Sequence, residues 1–215
     1  MPFDAVPSKA SLTLEPFKAH VSDEELSDFK QLLKLSKVGP KTFENLRDDR
    51  YFGINYQWFV DAKAHWEDKH DWRKTEDRIN SFPNFTVRIE DVNVHFLSLF
   101  SKKADAVPLA LLHGWPGSFL EFLGVCDVLK NKYNEDDLPF HVIVPSLPGY
   151  GYSSGPPLDR DYTTQDIARI VDALMQGLGF GDGYISQGGD IGSFVTRVLA
   201  GSDDYPACKA AHRKS

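Results

Sequence analysis

One aspartate stands in a setting that could do chemistry. Asp190 lies at the centre of Gly188-Gly-Asp-Ile-Gly192, which has the form Gly-x-nucleophile-x-Gly. That form is typical of a sharp strand-to-helix turn, which needs small residues on both sides and lifts the central side chain above a sheet. A carboxylate in this place attacks carbon directly and forms an ester. On these residues alone an alternative stays open, in which Asp190 only caps a helix in a glycine-rich turn.

A second motif favours the nucleophile interpretation. His113-Gly-Trp-Pro-Gly117 directly follows an apolar run, Val107–Leu112, that predicts a buried strand. Developing negative charge is held best by two backbone N–H groups that point at one spot. We predict that these donors are the amides of Trp115 and Ile191, while Pro116 fixes the local backbone.

The elements around these motifs predict an α/β fold with a parallel sheet. Alternating apolar residues first predict a hairpin, and strands then alternate with helices. The predicted elements are strands at Phe85–Ile89, Val92–Phe96, Val107–Leu112, Phe140–Val144 and Gly183–Ser186, and helices from Ser118 to about Tyr133, after Thr163 and from Ile191.

The first part of the chain has a different character. A capping box, Ser22 with Glu25, precedes one amphipathic helix, and a second helix is predicted over Tyr56–Lys69. Irregular chain is expected at Asp71–Arg73 and at Ser81–Pro83. We therefore predict an irregular, mostly helical segment over residues 1–84, without a sheet of its own, and an α/β core over residues 85–215.

Composition excludes several classes of function. The formal net charge is −7 and no lysine or arginine block is present, which argues against a nucleic-acid partner. The two cysteines form neither a disulfide framework nor a zinc motif. Neither glycine-rich region has the spacing of a P-loop or of a dinucleotide fingerprint. No secretory signal or membrane-spanning run is visible, so a cytoplasmic protein is expected.

The motifs resemble those of a known family. His113–Ser118, Pro145–Pro157 and Gln187–Gly192 are similar to signature segments of the microsomal-type epoxide hydrolases, especially the soluble fungal ones. The N-terminal segment, with Asp71-Trp-Arg73 and Ser81-Phe-Pro83, is similar to the N-terminal meander of that family. The resemblance covers nearly the whole chain.

The resemblance implies a reaction and a set of roles. Asp190 would open an epoxide and form a covalent ester, and the amides of Trp115 and Ile191 would form the oxyanion hole. Water would then release a vicinal diol, with no cofactor and no metal. Such chemistry serves the detoxification or catabolism of epoxides.

The resemblance also implies that part of the machinery is missing. The cap tyrosines, the acidic residue and the base histidine of the family would follow a sixth strand, of which Ala207–His212 looks like the start. None of the seven histidines maps to the base. We therefore expect an N-terminal half, without the cap and the C-terminal strands, that does not turn over epoxides. The edge of the last strand is expected to be exposed, which would favour a homodimer or pairing with a full-length relative.

Two other functions stay open. A haloalkane dehalogenase would use the same aspartate turn, although the N-terminal meander argues against it. A non-catalytic interaction protein, derived from an epoxide hydrolase, would use the exposed strand edge instead of Asp190.

Overall fold

The computed structural model describes residues 1–49 and 51–214. Contacts divide the chain into two compact units. One comprises Met1–Lys18 and the chain from Arg78 onward, and the other comprises Ala19–Asp77. The first unit contains both of the predicted chemical motifs. The division into a segment 1–84 and a core 85–215 stays a prediction.

A mixed sheet of seven strands lies in the described part of the first unit, in the order β1-β2-β3-β5-β4-β6-β7. Strands β1, β2, β3 and β5 pair antiparallel, and β5, β4, β6 and β7 run parallel. The predicted α/β fold is therefore confirmed. The strands are β1 (Glu15–Pro16), β2 (Asn84–Ile89), β3 (Val92–Leu99), β4 (Val107–Leu112), β5 (Phe140–Pro145), β6 (Tyr184–Gly189) and β7 (Cys208–Lys214).

The smaller unit contains two helices of similar length, α1 (Asp23–Leu35) and α2 (Tyr56–Asp68). The predicted capping box is present, because Ser22 and Glu25 each bond to the other's backbone N–H. The rings of Phe29 on α1 and Trp66 on α2 lie 5.8 Å apart. No residue of either helix is buried, so each retains an exposed apolar face.

A third helix, α3 (Trp72–Asn80), begins within Asp71–Arg73, which the sequence predicted to be irregular. Polar pairs stabilise it. Glu76 accepts hydrogen bonds from the indole of Trp72, four positions earlier, at 2.9 Å and from the guanidinium of Arg73, three positions earlier, at 2.6 Å. The prediction was wrong because it relied on apolar periodicity, which this helix lacks.

Three further helices connect the parallel strands, as the alternation of strands and helices predicted. They are α4 (Leu123–Lys132), α5 (Thr164–Met175) and α6 (Ile191–Gly201). A 3-10 turn, Phe119–Phe122, precedes α4, and a wider helical turn, Gln176–Phe180, follows α5. No helix in the described parts of the chain is both long enough and apolar enough to cross a bilayer.

The register of two parallel strands brings the chemical motifs together. Leu112, the last residue of β4, stands opposite Gly188, near the end of β6. Buried apolar side chains fix this register, among them Ala110 and Leu112 on β4 and Tyr184 on β6. Because the carboxyl ends of parallel strands meet at one edge, the loop after β4 and the turn after β6 become neighbours.

The end of the sheet corrects one prediction. The edge of β6 was expected to be exposed, but β7 pairs with it from Tyr184 to Gly189. The residues of β7 after Cys208 are exposed and mostly small or charged. Their backbone groups form the hydrogen bonds with β6, although their side chains give no apolar pattern. The sequence therefore did not predict that β7 would cover the edge of β6.

Candidate active site

Asp190 occupies a strained turn between β6 and α6. Its backbone has φ 49° and ψ −122°, a conformation that side-chain-bearing residues rarely adopt. β6 ends at Gly189 and α6 begins at Ile191, so the reversal of the chain takes place at a single residue. The side chain of Asp190 is consequently exposed at the carboxyl edge of the sheet.

The glycines of the motif are required by close backbone approaches. A Cβ at Gly188 would lie less than 3.0 Å from backbone atoms of Gly192. A Cβ at Gly192 would lie less than 3.0 Å from the carbonyl oxygen of Leu112. Since these neighbours are backbone atoms, they cannot move aside as a flexible side chain would. The Gly-x-Asp-x-Gly spacing is thus explained by packing around the turn.

A backbone amide of the loop after β4 holds the carboxylate of Asp190. The N–H of Trp115 donates to Oδ1 at 2.8 Å. Hydrogen bonds from Trp115 and, second, from Ile191 hold the pKa of Asp190 below its ordinary value, against a small opposing effect of burial. The position of the carboxylate at the start of α6 also favours the charged form. The amide of Trp115, which the sequence predicted, therefore donates to this carboxylate, and the catalytic roles of Trp115 and Ile191 stay a prediction.

Gly114 permits the approach of the two motifs. A Cβ on this residue would lie 2.6 Å from Cβ and 2.9 Å from Oδ1 of Asp190. The N–H of Gly114 donates to Oε1 of Glu121 at 3.2 Å. Glu121 was not among the residues predicted for the site, although its position three residues after Ser118 fits the pattern of a helix cap. In the structure this carboxylate binds a backbone amide of the loop after β4.

The tyrosines of the loop after β5 take part in packing. The ring of Tyr150 lies 5.2 Å from the ring of His113, edge to face. Tyr152 lies 4.9 Å from Phe17 and 5.2 Å from His95. Both rings therefore pack against residues outside their own loop.

The histidines do not supply a base to Asp190. His212 is exposed on β7 and stands opposite Gln187, in the ladder with β6. His95 and His113 are completely buried. Within residues 1–49 and 51–214, no histidine hydrogen-bonds to the carboxylate of Asp190.

A cavity of the first unit lies away from Asp190. It has a volume of about 580 Å³ and is lined by residues at the other end of the strands, including Pro108 and Gly183. Asp190 lies instead at the carboxyl ends of the strands, where ligands of parallel α/β sheets generally bind. We therefore place the candidate site at the exposed carboxylate, and the cavity is not part of it.

Comparison with known proteins agrees with this geometry. The family model described as "Epoxide hydrolase N terminus" matches residues 14–122, and a model of the alpha/beta hydrolase fold matches residues 107–210. The chain belongs to the epoxide hydrolase family. The family resemblance inferred from the motifs is thereby confirmed.

Solved and curated epoxide hydrolases are similar over nearly the full chain. The Aspergillus niger epoxide hydrolase structure is 52% identical, with a TM-score of 0.92, over 100% of this chain and 55% of that one. The juvenile hormone epoxide hydrolase structure from Bombyx mori is 26% identical, with a TM-score of 0.79, over 96% and 54%. Epoxide hydrolase 1 of Sus scrofa is 35% identical over 196 residues, 87% of this chain and 42% of the relative. The chain thus spans about half the length of these relatives.

Proposed function

We propose that this chain carries the nucleophile of an epoxide hydrolase reaction. The observation that supports this most directly is the ionised carboxylate of Asp190, exposed at the turn and bonded to the amide of Trp115. One carboxylate oxygen forms a bond to an epoxide carbon while the bond from that carbon to the ring oxygen breaks. The ring oxygen leaves with the electron pair and takes a proton from an acid or from water.

The hydrogen bond from Trp115 distinguishes the two oxygens of the carboxylate. Oδ1 is held by the amide, so Oδ2 is the attacking atom and Oδ1 becomes the carbonyl oxygen of the ester. When water attacks that carbonyl, negative charge develops on Oδ1. The donors at Trp115 and Ile191 then stabilise it, and removal of one such donor typically costs about 100- to 1,000-fold in rate.

Full turnover needs two further groups. An acid protonates the opening oxygen, and a base activates the water, each worth about 100- to 10,000-fold. Because no described histidine hydrogen-bonds to Asp190, we propose that this chain forms the ester at most and releases no diol steadily. The cytoplasmic location and the pairing of this chain with a copy or a relative stay predictions. Such pairing would use the outer edge of β7, since the edge of β6 is occupied.

Mass spectrometry after incubation with styrene oxide tests this function. We expect a single adduct, with the mass of one epoxide added, on the peptide that contains Asp190. Replacement of Asp190 by alanine should remove that adduct, and the matched Asp182→Ala variant, which changes an exposed aspartate in a loop, should retain it. Adducts scattered over surface carboxylates would argue against a nucleophile at Asp190. Steady diol release over many turnovers would show that a base is present.

A further inference from the structure

The protonation state of His113 follows from its two hydrogen-bond partners. The N–H of Leu147 points at Nε2 at 3.1 Å, so Nε2 must accept and carries no proton. The other ring nitrogen, Nδ1, lies 3.1 Å from the carbonyl oxygen of Gly114. A carbonyl only accepts, so Nδ1 carries the proton and donates it. Burial lowers the pKa of His113, which keeps the ring neutral.

The hydrogen bond from His113 to the carbonyl of Gly114 fixes the direction of the Trp115 N–H. The carbonyl of Gly114 and the N–H of Trp115 belong to one planar trans peptide and point in opposite directions. When His113 holds the carbonyl, the N–H on the other side is fixed as well. That N–H is the one that donates to Oδ1 of Asp190 at 2.8 Å.

Gly114 makes such a restraint necessary. The close approach of Asp190 excludes any side chain at this position. A glycine, however, leaves the backbone free to adopt many conformations. The structure restrains both of its peptides, because Glu121 accepts from the N–H of Gly114 and His113 donates to its carbonyl.

We propose that His113 is a positioning residue, which aims the amide of Trp115 at Asp190 by holding the carbonyl of Gly114. The role of that amide in catalysis rests on the proposed function. The hydrogen bonds that hold the amide in place do not depend on that function. A test that measures the amide and the carboxylate directly is therefore independent of whether Asp190 reacts with epoxides.

Two substitutions separate positioning from stability. His113→Asn can retain a donor near the place of Nδ1, and His113→Gln can retain an acceptor near the place of Nε2. Each variant loses one hydrogen bond, so a merely structural role predicts similar effects in both. Positioning predicts different effects, because only the asparagine variant can still hold the carbonyl of Gly114.

Nuclear magnetic resonance of this chain gives the readouts. In the glutamine variant we expect the pKa of Asp190 to rise toward its ordinary value. We also expect the hydrogen of the Trp115 amide to exchange with solvent about 10-fold faster, because the hydrogen bond from residue 113 to the carbonyl of Gly114 is lost. In the asparagine variant both quantities should stay near those of the unaltered chain. Equal changes in the two variants, or none in the glutamine variant, would overturn the proposal.

One measurement needs no substitution and remains decisive if a variant does not fold. The ¹⁵N shifts of the His113 ring in the unaltered chain report which nitrogen carries the proton. We expect the proton on Nδ1. A proton on Nε2 would mean that the ring cannot donate to Gly114, and the proposal would be wrong.

Discussion

Leu112 and Gly188 stand opposite each other at the carboxyl ends of two adjacent parallel strands, β4 and β6. This pairing determines where the next residues of each strand can lie. Trp115 follows the first strand by three positions and Asp190 follows Gly188 by two, and an amide of one donates to the carboxylate of the other. The candidate site is thus a direct product of strand register.

Replacement of Gly192 by alanine is expected to destabilise the fold. The new Cβ would overlap the carbonyl oxygen of Leu112, and overpacking of this kind costs about 1–3 kcal/mol. Urea unfolding measures the loss. The matched control is Gly124→Ala on α4, where nothing lies within 4 Å of the added Cβ. That variant should gain up to about 1 kcal/mol from helix propensity. Equal losses in the two variants would contradict the packing argument.

Strain at Asp190 is expected to cost stability. The residue has a positive φ, which glycine adopts more readily than a residue with a Cβ. Both Asp190→Gly and Asp190→Ala remove the carboxylate, so the difference between them isolates the backbone. We expect the glycine variant to be more stable than the alanine variant by about 1 kcal/mol in urea unfolding. An alanine variant of equal or greater stability would show that the turn is relaxed.

Buried histidines are expected to make the fold sensitive to acid. His95 bonds to Ser146 at 2.9 Å and to Asn84 at 3.1 Å, and burial lowers its pKa from 6.5 to about 3. The unfolded chain therefore binds a proton that the folded chain does not, over the range from about pH 6.5 to 3. Stability contributed by neutral His95 is complete above pH 6.5 and decreases as the pH falls through that window.

Unfolding free energies measured between pH 6.5 and 4.5 test this, because most carboxylates stay charged in that range. His95→Gln should reduce the slope by up to one proton, or ~1.4 kcal/mol per pH unit. The matched control is His212→Gln, the same change at an exposed position of β7. An unaltered slope in the His95 variant would mean that this ring is protonated in the fold.

Gly114→Ala is expected to slow the reaction of Asp190 with styrene oxide. The added Cβ would lie 2.6 Å from Cβ of Asp190 and separate the carboxylate from the amide of Trp115. Mass spectrometry should show at least a ~10-fold loss of adduct, the equivalent of one hydrogen bond. Gly181→Ala, where the Cβ would meet nothing within 4 Å, is the control. Full adduct formation in the Gly114 variant would contradict the role of this contact.

The turn at Asp190 could be predicted from the sequence because its packing requirements are local. Gly188 and Gly192 each face backbone atoms, and only glycine fits, so the motif itself carries the information. The alternation of apolar strands and helices was equally readable, since burial of both faces of a parallel sheet demands it.

The remaining features depend on contacts that sequence patterns do not encode. α3 forms from polar pairs around Glu76, and β7 pairs through its backbone with small and charged side chains. Glu121 fits the pattern of a helix cap, but its carboxylate accepts from the N–H of Gly114, seven positions earlier. None of these features follows from the apolar periodicity that predicted the other strands and helices.

The strand order also has a consequence for synthesis. β4 lies between β5 and β6, so both of its neighbours are made after it. Trp115 and Asp190 are 75 positions apart. At a ribosomal rate of about 5–20 residues per second, Asp190 is added to the chain roughly 4–15 s after Trp115. During that interval the apolar strand β4 has at least one edge without its native partner. A chaperone that recognises unpaired apolar strands would therefore bind the nascent chain during this interval.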